Sequence, residues 1–495
     1  MKKFQAPDTY VIIFFVVLIA FGLSWIIPQG KFETRTIKYE YKDKVTEKTV
    51  LDPNSFTYAE KENRIDGTPL FGEGGEPGFL NYVFDGLVSG DKWGAAVGVI
   101  AFILVIGGAF GIIIRTGAIE TGINAMILKT KGNDILLLPV MFLLFSLGGA
   151  VFGMGEEAIA FSMVLIPMVI ALGYDSITGI MITFVATQIG FATSWMNPFG
   201  VAIAQGIAEV PVMSGSFFRI VMWLIFTGIG MAYTIIYART IKRNPQSSLS
   251  WKSDEYFRND FKRPELQDHK MTIADKLILL TILISILWII YGVMFRGYYI
   301  PEIASQFFVM GLVSGIIAVI FRLNDMKVND IAAGFRQGAK DLLGAALIVG
   351  MAKGIVIILG GDDPATPSVL NTILYKIGRT VAIFPAVVSA WMMFVFQSVF
   401  NFFIVSGSGQ AALTMPLMAP LADMAGVSRQ VAVLAFQLGD GFTNLIVPTS
   451  AALMGCLGVA RLDWVNWAKF QIKFQVVLFS LGSMFVIAAV MLGFN

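Results

Sequence analysis

The sequence predicts an all-α, polytopic membrane protein, on three observations. Hydrophobic residues fill 56% of the 495 positions and charged residues only 14%, with a mean hydropathy of +0.73, a balance foreign to soluble globular chains. The apolar residues form continuous runs instead of alternating with polar ones, which excludes a β-barrel. The two halves of the chain also repeat one pattern of Pro, Gln and Gly in the same order.

Composition narrows the chemistry. A net charge of +2 points to no partner class, and nothing in the chain calls for nucleic acid. The single cysteine, Cys456, rules out an internal disulfide and a Cys-based metal site. The single histidine, His269, stands in a charged stretch, which argues against a zinc centre or a His-based proton relay. No activated nucleophile or phosphate loop is visible, so neither an enzyme nor direct ATP-driven work is expected, and no cofactor or metal is assigned.

Along the chain, residues 1–29 form an N-terminal membrane helix, kept and not cleaved because it is long and lacks a small-residue cleavage site. Residues 30–94 are a polar insert outside the bilayer, whose Tyr39–Val50 part reads as a small strand pair. Residues 95–240 form the first repeat: a span at Ala95–Ile114, an amphipathic Ala118–Lys129, a hairpin over 134–173 and a broken helix over 176–208. The charged stretch 241–271 is a linker, and 272–322 holds two plain spans. Residues 334–495 form the second repeat, with a Leu342–Leu359 span, an amphipathic Ser368–Ile377, a hairpin over 381–425 and a broken helix over 430–460.

The first hairpin reads GGAVFGMGEEAIAF at its centre, flanked by apolar runs of roughly 13–16 residues. As helices these rise about 20–24 Å, short of the roughly 30 Å hydrocarbon core. The hairpin is therefore read as re-entrant, with Glu156 and Glu157 at half depth, where a charge costs about 3 kcal/mol. Two full spans with both acids in water remain the alternative. Lys and Arg in the short loops place the N-terminus and the linker in the cytoplasm, so the two hairpins enter from opposite sides.

Pro167 with Pro416, Gln188 with Gln437, Gly190 with Gly439 and Gly206 with Gly455 all match at one offset, and Pro198 matches Pro448 after one inserted residue. Farther upstream, Gly107 and Gly111 match Gly350 and Gly354. With the halves inserted in opposite senses, this is the inverted repeat of a secondary transporter, whose substrate lies between repeats where helices are broken. Pro198 and Pro448 would make those breaks, freeing carbonyls for a cation and N–H groups for an anionic oxygen.

The polar residues of these segments are the candidate binding set. Glu156, Glu157 and Asp440 are their only carboxylates; three acids call for a cationic substrate group or a coupling cation. Ser194, Trp195, Asn197, Asn401, Ser406, Ser408, Thr443, Asn444, Thr449 and Ser450 add neutral contacts. Gly155 and Gly407 would hinge the hairpin tips, and Lys353, mid-span in GMAKGIV, is read as the ion-pair partner of one of the acids or as a lure for an anion. Gly107-x3-Gly111 and Gly350-x3-Gly354 are close-approach seams.

The strings PDTYVIIFFVVLIAFGLSWIIPQGKF, VIGGAFGIIIRTGAIETGI, FSLGGAVFGMGEEAIAF, ATQIGFATSWMNPFGVAIAQGIAEVPVMSG and QLGDGFTNLIVPTSA resemble YfcC-type transporters, in the C4-dicarboxylate carrier (DcuC) branch of the ion transporter superfamily. The resemblance covers nearly the whole chain. It implies an elevator-type carrier of the bacterial inner membrane, a homodimer in lipid whose hairpin-bearing domain slides across a scaffold. Members are regarded as basic amino-acid antiporters, arginine–ornithine exchangers among them, although the branch is named for dicarboxylates. The residues favour the cation: exchange of a small charged metabolite such as arginine or ornithine is expected. The alternatives are an Na⁺- or H⁺-coupled dicarboxylate carrier and, from another class, a channel.

Overall fold

A computed structural model describes every residue except 1–7, 42–43, 61–66, 94, 120, 123–124, 126–133, 198, 262–270 and 382. Most of the amphipathic stretch 118–129, the break proline Pro198 and His269 thus lie outside or largely outside the described residues. Among the described residues, six helices are long and apolar enough to cross a membrane: Thr9–Ile26 (α1), Ala96–Thr116, Ser216–Arg243, Ile273–Tyr291, Ile300–Ile320 and Trp464–Met491. A bent pair, Val328–Asp341 and Leu343–Ile358, meeting at 44°, makes a seventh if taken as one span. The protein is a multi-pass helical membrane protein.

The helices sort into two bodies by what they pack against. The first is built on α3 (Ala95–Thr116), against which α11 (Ile300–Ile320), α12 (Val328–Asp341) and α13 (Leu343–Ile358) lie; α10 (Ile273–Tyr291) packs on α11, and α1 and α2 (Tyr82–Val88) pack on α13. Its seams are glycine. A Cβ on Gly111 would lie 2.3 Å from the Gly334 carbonyl, one on Gly338 2.0 Å from that of Gly107, and one on Gly86 2.0 Å from that of Gly350. Backbone-to-backbone approach of this kind is what small residues give to helix pairs in lipid. The sequence pairs Gly107-x3-Gly111 and Gly350-x3-Gly354 are therefore packing seams, with partners (Gly334, Gly338, Gly86) the pattern did not name. Helix α12 was not foreseen either, and the boundary expected at 334 falls inside it.

The second body holds both hairpins. In the first, α4 (Leu137–Phe152) turns into α5 (Ala158–Ala171); in the second, α15 (Ala386–Phe400) turns into α16 (Gly407–Met424). The second hairpin starts at Ala386 rather than 381, because α14 (Val369–Val381) runs through Val381 and Pro385 blocks helix in the residue before it. The interrupted helices are α6 (Ser176–Ala192, with one π turn) followed by α7 (Val201–Ile207), and α17 (Arg429–Thr443) followed by α18 (Ala451–Val459). The packing of the two halves corresponds element by element. Helix α4 lies on α6 as α15 lies on α17, and the long α8 (Ser216–Arg243) flanks the first pair as α19 (Trp464–Met491) flanks the second. The outer halves cross over: α5 packs on α18 and α16 on α7. The bodies meet where α13 touches α18 and α3 touches α5.

Helix α8 also measures the separation of the hairpin exits. Asp175, just past the first hairpin, accepts a hydrogen bond from Tyr237 (2.6 Å) near the end of α8. Gln430, just past the second, accepts one from Arg219 (3.0 Å) near its start. Eighteen residues of helix separate those two contacts, about 27 Å at 1.5 Å per residue. The linker, which carries α9 (Glu255–Phe261), closes over the first exit: Ser248 donates to Asp175 (2.6 Å), and Asp254 accepts from the Ser176 N–H (3.2 Å).

The insert contains the expected strand pair, β2 (Thr34–Tyr41) against β3 (Lys44–Leu51), antiparallel from Thr34↔Leu51 to Tyr41↔Lys44, plus the short β1 (Gly30–Lys31) and β4 (Thr57–Tyr58). Gly30 and Ser368 exchange two backbone hydrogen bonds (3.1 and 2.9 Å), which fixes the insert to the loop before α14.

Candidate functional site

The first tip is shaped by glycine. Helix α4 ends at Gly153, in the left-handed region at φ +72°, where an added Cβ would stand 2.2 Å from Asn197 Oδ1. Only glycine satisfies both the dihedral and the space. Glu157 then precedes α5 and folds back, its Oε2 accepting from the Gly155 N–H at 2.9 Å. At the second tip, Ser406 caps α16, its Oγ accepting from the Gly409 N–H (3.3 Å).

Side chains shape both interruptions. Asn197 Oδ1 accepts from the N–H groups of Phe199 (2.8 Å) and Gly200 (3.2 Å), which bends the chain into α7. Ser194 donates to the Ala150 carbonyl (2.6 Å) and accepts from the Asn197 N–H (2.8 Å), tying the first break to the first hairpin. In the second break, Pro448 is buried and Ser450 caps α18 through the Leu453 N–H (3.3 Å).

Both tips and both breaks enclose a cavity of about 500 Å³. Glu156, Glu157 and Gly155 line it from the first tip, and Ser406, Gly407 and Ser408 from the second. Asn444, Thr449 and Ser450 come from the second break and Gln188 from α6. The first body supplies Tyr299, Val349, Ala352 and Lys353, and Asp91, Trp93 and Asp362 stand on its loops. Four carboxylates (Asp91, Glu156, Glu157, Asp362) thus face the cavity against one ammonium, Lys353.

Several expected contacts fall elsewhere. Asp440 is 0% exposed and stands one layer behind the wall: a Cβ on Gly407 would come 2.9 Å from its Oδ2. Its Oδ1 accepts from Asn444 Nδ2 (3.3 Å), and Asn401 donates to Asn444 Oδ1 (2.7 Å) and to the Asp440 carbonyl (3.1 Å). Asp440 Oδ2 and Asn401 Oδ1 are left as buried acceptors with no donor among the described residues. Trp195 turns away from the cavity and packs edge-on against Trp223, ring centroids 5.1 Å apart. Ser194 and Asn197 serve the first break, and Thr443, the last residue of α17, is absent from the lining.

Lys353 corrects the ion-pair expectation. Its Nζ meets Asp362 Oδ2 at 2.7 Å, and neither Glu156, Glu157 nor Asp440 has an ion-pair partner among the described residues. The pairing is local: Lys353 lies near the end of α13 and reaches the turn that follows, where Asp362 is half in water.

Two residues of the cavity and its supports escaped the sequence reading. Arg219 is fully buried and donates to Gln437 Oε1, Gln430 Oε1 and the Ser214 carbonyl, each at 3.0 Å. Gln437 passes the connection on, donating to the Ser194 carbonyl at 2.8 Å, so one guanidinium ties α17 to the first break. A charge in the apolar Phe217–Tyr237 run was the available signal. Tyr299 had none: it reads as one aromatic before a span.

Comparison with known proteins agrees with the motif resemblance. A family model described as C4-dicarboxylate anaerobic carrier, DcuC, matches residues 6–491. A protein of Escherichia coli K12 named "Putative basic amino acid antiporter YfcC" is 50% identical over 498 residues, covering 100% of this chain and 98% of the relative. A Haemophilus influenzae protein described as uncharacterized is 31% identical over 517 residues, covering 99% and 98%. Among solved structures, the Alcanivorax borkumensis YdaH transporter matches at 16% identity and a TM-score of 0.39, over 99% of both chains. Neisseria gonorrhoeae MtrF matches at 14% and 0.36, over 98% of this chain and 96% of that one. With a family model across nearly its whole length and a relative at half identity, this chain belongs to the DcuC family of carriers.

Proposed function

We propose that the protein is a secondary active transporter that exchanges a small cationic metabolite, a basic amino acid such as arginine or ornithine, across the bacterial inner membrane. The observation that carries this reading is the pair Glu156 and Glu157 facing the cavity without a basic partner among the described residues, while Lys353, the one ammonium those residues bring to the lining, is held by Asp362. A carboxylate pair in low dielectric strongly favours a cation and repels a dicarboxylate. The substrate's guanidinium or ammonium would meet the glutamates, and its α-carboxylate the Ser406–Ser408 end of α16, where free N–H groups and the helix dipole favour an anion. The name of the half-identical relative points the same way.

Asp440 and Asn401 are the proposed seat of the coupling ion, Na⁺ or H⁺, since their two unpartnered buried oxygens accept but do not donate. The corresponding packing of the halves and the distance between the hairpin exits support an inverted repeat with re-entrant hairpins moving as one body, elevator fashion, against the first body. In this reading the first body forms the homodimer and the N-terminus is cytoplasmic.

The family's description favours a second reading, a dicarboxylate carrier. Proteoliposomes separate the two. Arginine uptake driven by internal ornithine, without a sodium requirement, supports exchange; sodium-dependent succinate uptake with no arginine flux overturns the cationic reading.

A further inference from the structure

We propose that Tyr299 and Phe199 form a guanidinium-reading wall, so that among the basic amino acids it carries the site prefers those bearing a guanidinium to those bearing an alkylammonium; this rests on the cationic reading above and sharpens it. Glu156 and Glu157 attract any cation and cannot by themselves tell the two head groups apart. The difference between those groups is shape and hydration. Guanidinium is planar, weakly hydrated and stacks on aromatic faces, whereas an ammonium is a compact, strongly hydrated point charge.

The cavity is built for the former. Phe199 and Tyr299 both line it, half-buried, with ring centroids 5.2 Å apart and planes inclined at 34°. They arrive from different bodies, Phe199 from the break between α6 and α7, Tyr299 from the residue before α11. Both line the same cavity as the acids. The ideal Cβ of Gly153, three residues before Glu156, would stand 3.0 Å from Phe199 Cδ2, and the ring of Tyr299 packs on that of Phe199. A guanidinium held edge-on by the carboxylates thus lies with its face against rings, the arrangement in which cation–π attraction and bidentate hydrogen bonding add.

The test is a comparison of L-arginine with L-lysine, by uptake kinetics in proteoliposomes and by ligand-induced thermal shift of the purified protein. The wild type is expected to favour arginine by about tenfold or more in kcat/KM. Tyr299→Leu and, independently, Phe199→Leu should narrow the ratio to about threefold or less by raising the arginine KM, while Tyr299→Phe keeps it. Having one variant in each body guards against misfolding of either. An unchanged ratio in both leucine variants, or equal losses for the two amino acids, overturns the proposal while leaving cation transport intact. A wild type that answers to neither amino acid overturns the cationic reading itself, before any variant is compared.

Discussion

The two hairpin tips face one cavity and have opposite chemistry. The first tip, Gly153–Glu157, presents two carboxylates, and the broken helix behind it offers only neutral groups such as Gln188 and Asn197. The second tip, Ser406–Gly409, is neutral, and the acid of the helix behind it, Asp440, stands behind the wall. In the proposed function this is a division of labour: the acids of the first tip meet the ligand's cationic group, and Asp440 is held apart from it. Their bases differ too, since the linker closes over Asp175 at the first exit.

The comparison is sharpened most by removing the charges at the first tip. Glu156→Gln or Glu157→Gln should lower arginine uptake by about 10–100-fold, the worth of one charged hydrogen-bonding partner. Rates within twofold of wild type in both variants would end the assignment. Asp440→Asn should act differently in kind: arginine–arginine counterflow survives, and accumulation driven by a gradient of the coupling ion drops about tenfold. If counterflow and accumulation fall together, the sealed acid is part of the binding site and the division of labour fails.

Glycine at the tips gives the next contrast. Gly407→Ala puts a methyl 2.9 Å from Asp440 Oδ2 and 3.0 Å from the Phe191 ring, whereas Gly155→Ala meets nothing within 4 Å. The first should cost several-fold in rate and the second close to nothing, as measured by initial uptake at saturating substrate. Gly153→Ala combines a left-handed dihedral with a 2.2 Å clash and should destabilise the protein by about 1–3 kcal/mol, read as a lower thermal midpoint.

The smallest effect on transport is expected at the linker. Burial against the first exit pushes the Asp254 carboxyl up to about 6, with the hydroxyl and N–H donors of Ser250 and Ser176 only partly opposing it. The folded state then holds this proton more tightly than the unfolded chain does. The contribution of the docked linker is therefore full below about pH 4 and declines as pH rises toward 6, by at most about 3 kcal/mol. Hydrogen-exchange protection of residues 244–261, taken relative to the intrinsic rate at each pH, should fall across that window in the wild type and stay flat in Asp254→Asn.

How much was legible follows from range. The spans, both tips and both interruptions could be read because apolar run length, Gly clusters and repeated Pro are local signals. The pairing of Lys353 could not: an apolar helix gives no hint that its lysine reaches the turn nine residues on, to Asp362. Thr443 sits beside the cavity-lining Asn444 in sequence, and Trp195 lies within the first break, yet neither lines the cavity. Tyr299 lies 142 residues after Glu157 in the chain and lines the same cavity only because two bodies pack together.

The sequence by itself determined that this chain lives in a membrane as helices, that its halves share one pattern, and where acids interrupt apolar runs. Those properties follow from the solvent, which forbids unpaired backbone and unpaired charge in lipid wherever they fall along the chain. Only the tertiary structure decided which acid faces the cavity, which lies sealed behind it, and which aromatic ring from a distant helix completes the wall. Those are matters of rotation and contact between segments hundreds of residues apart, and no local pattern encodes them.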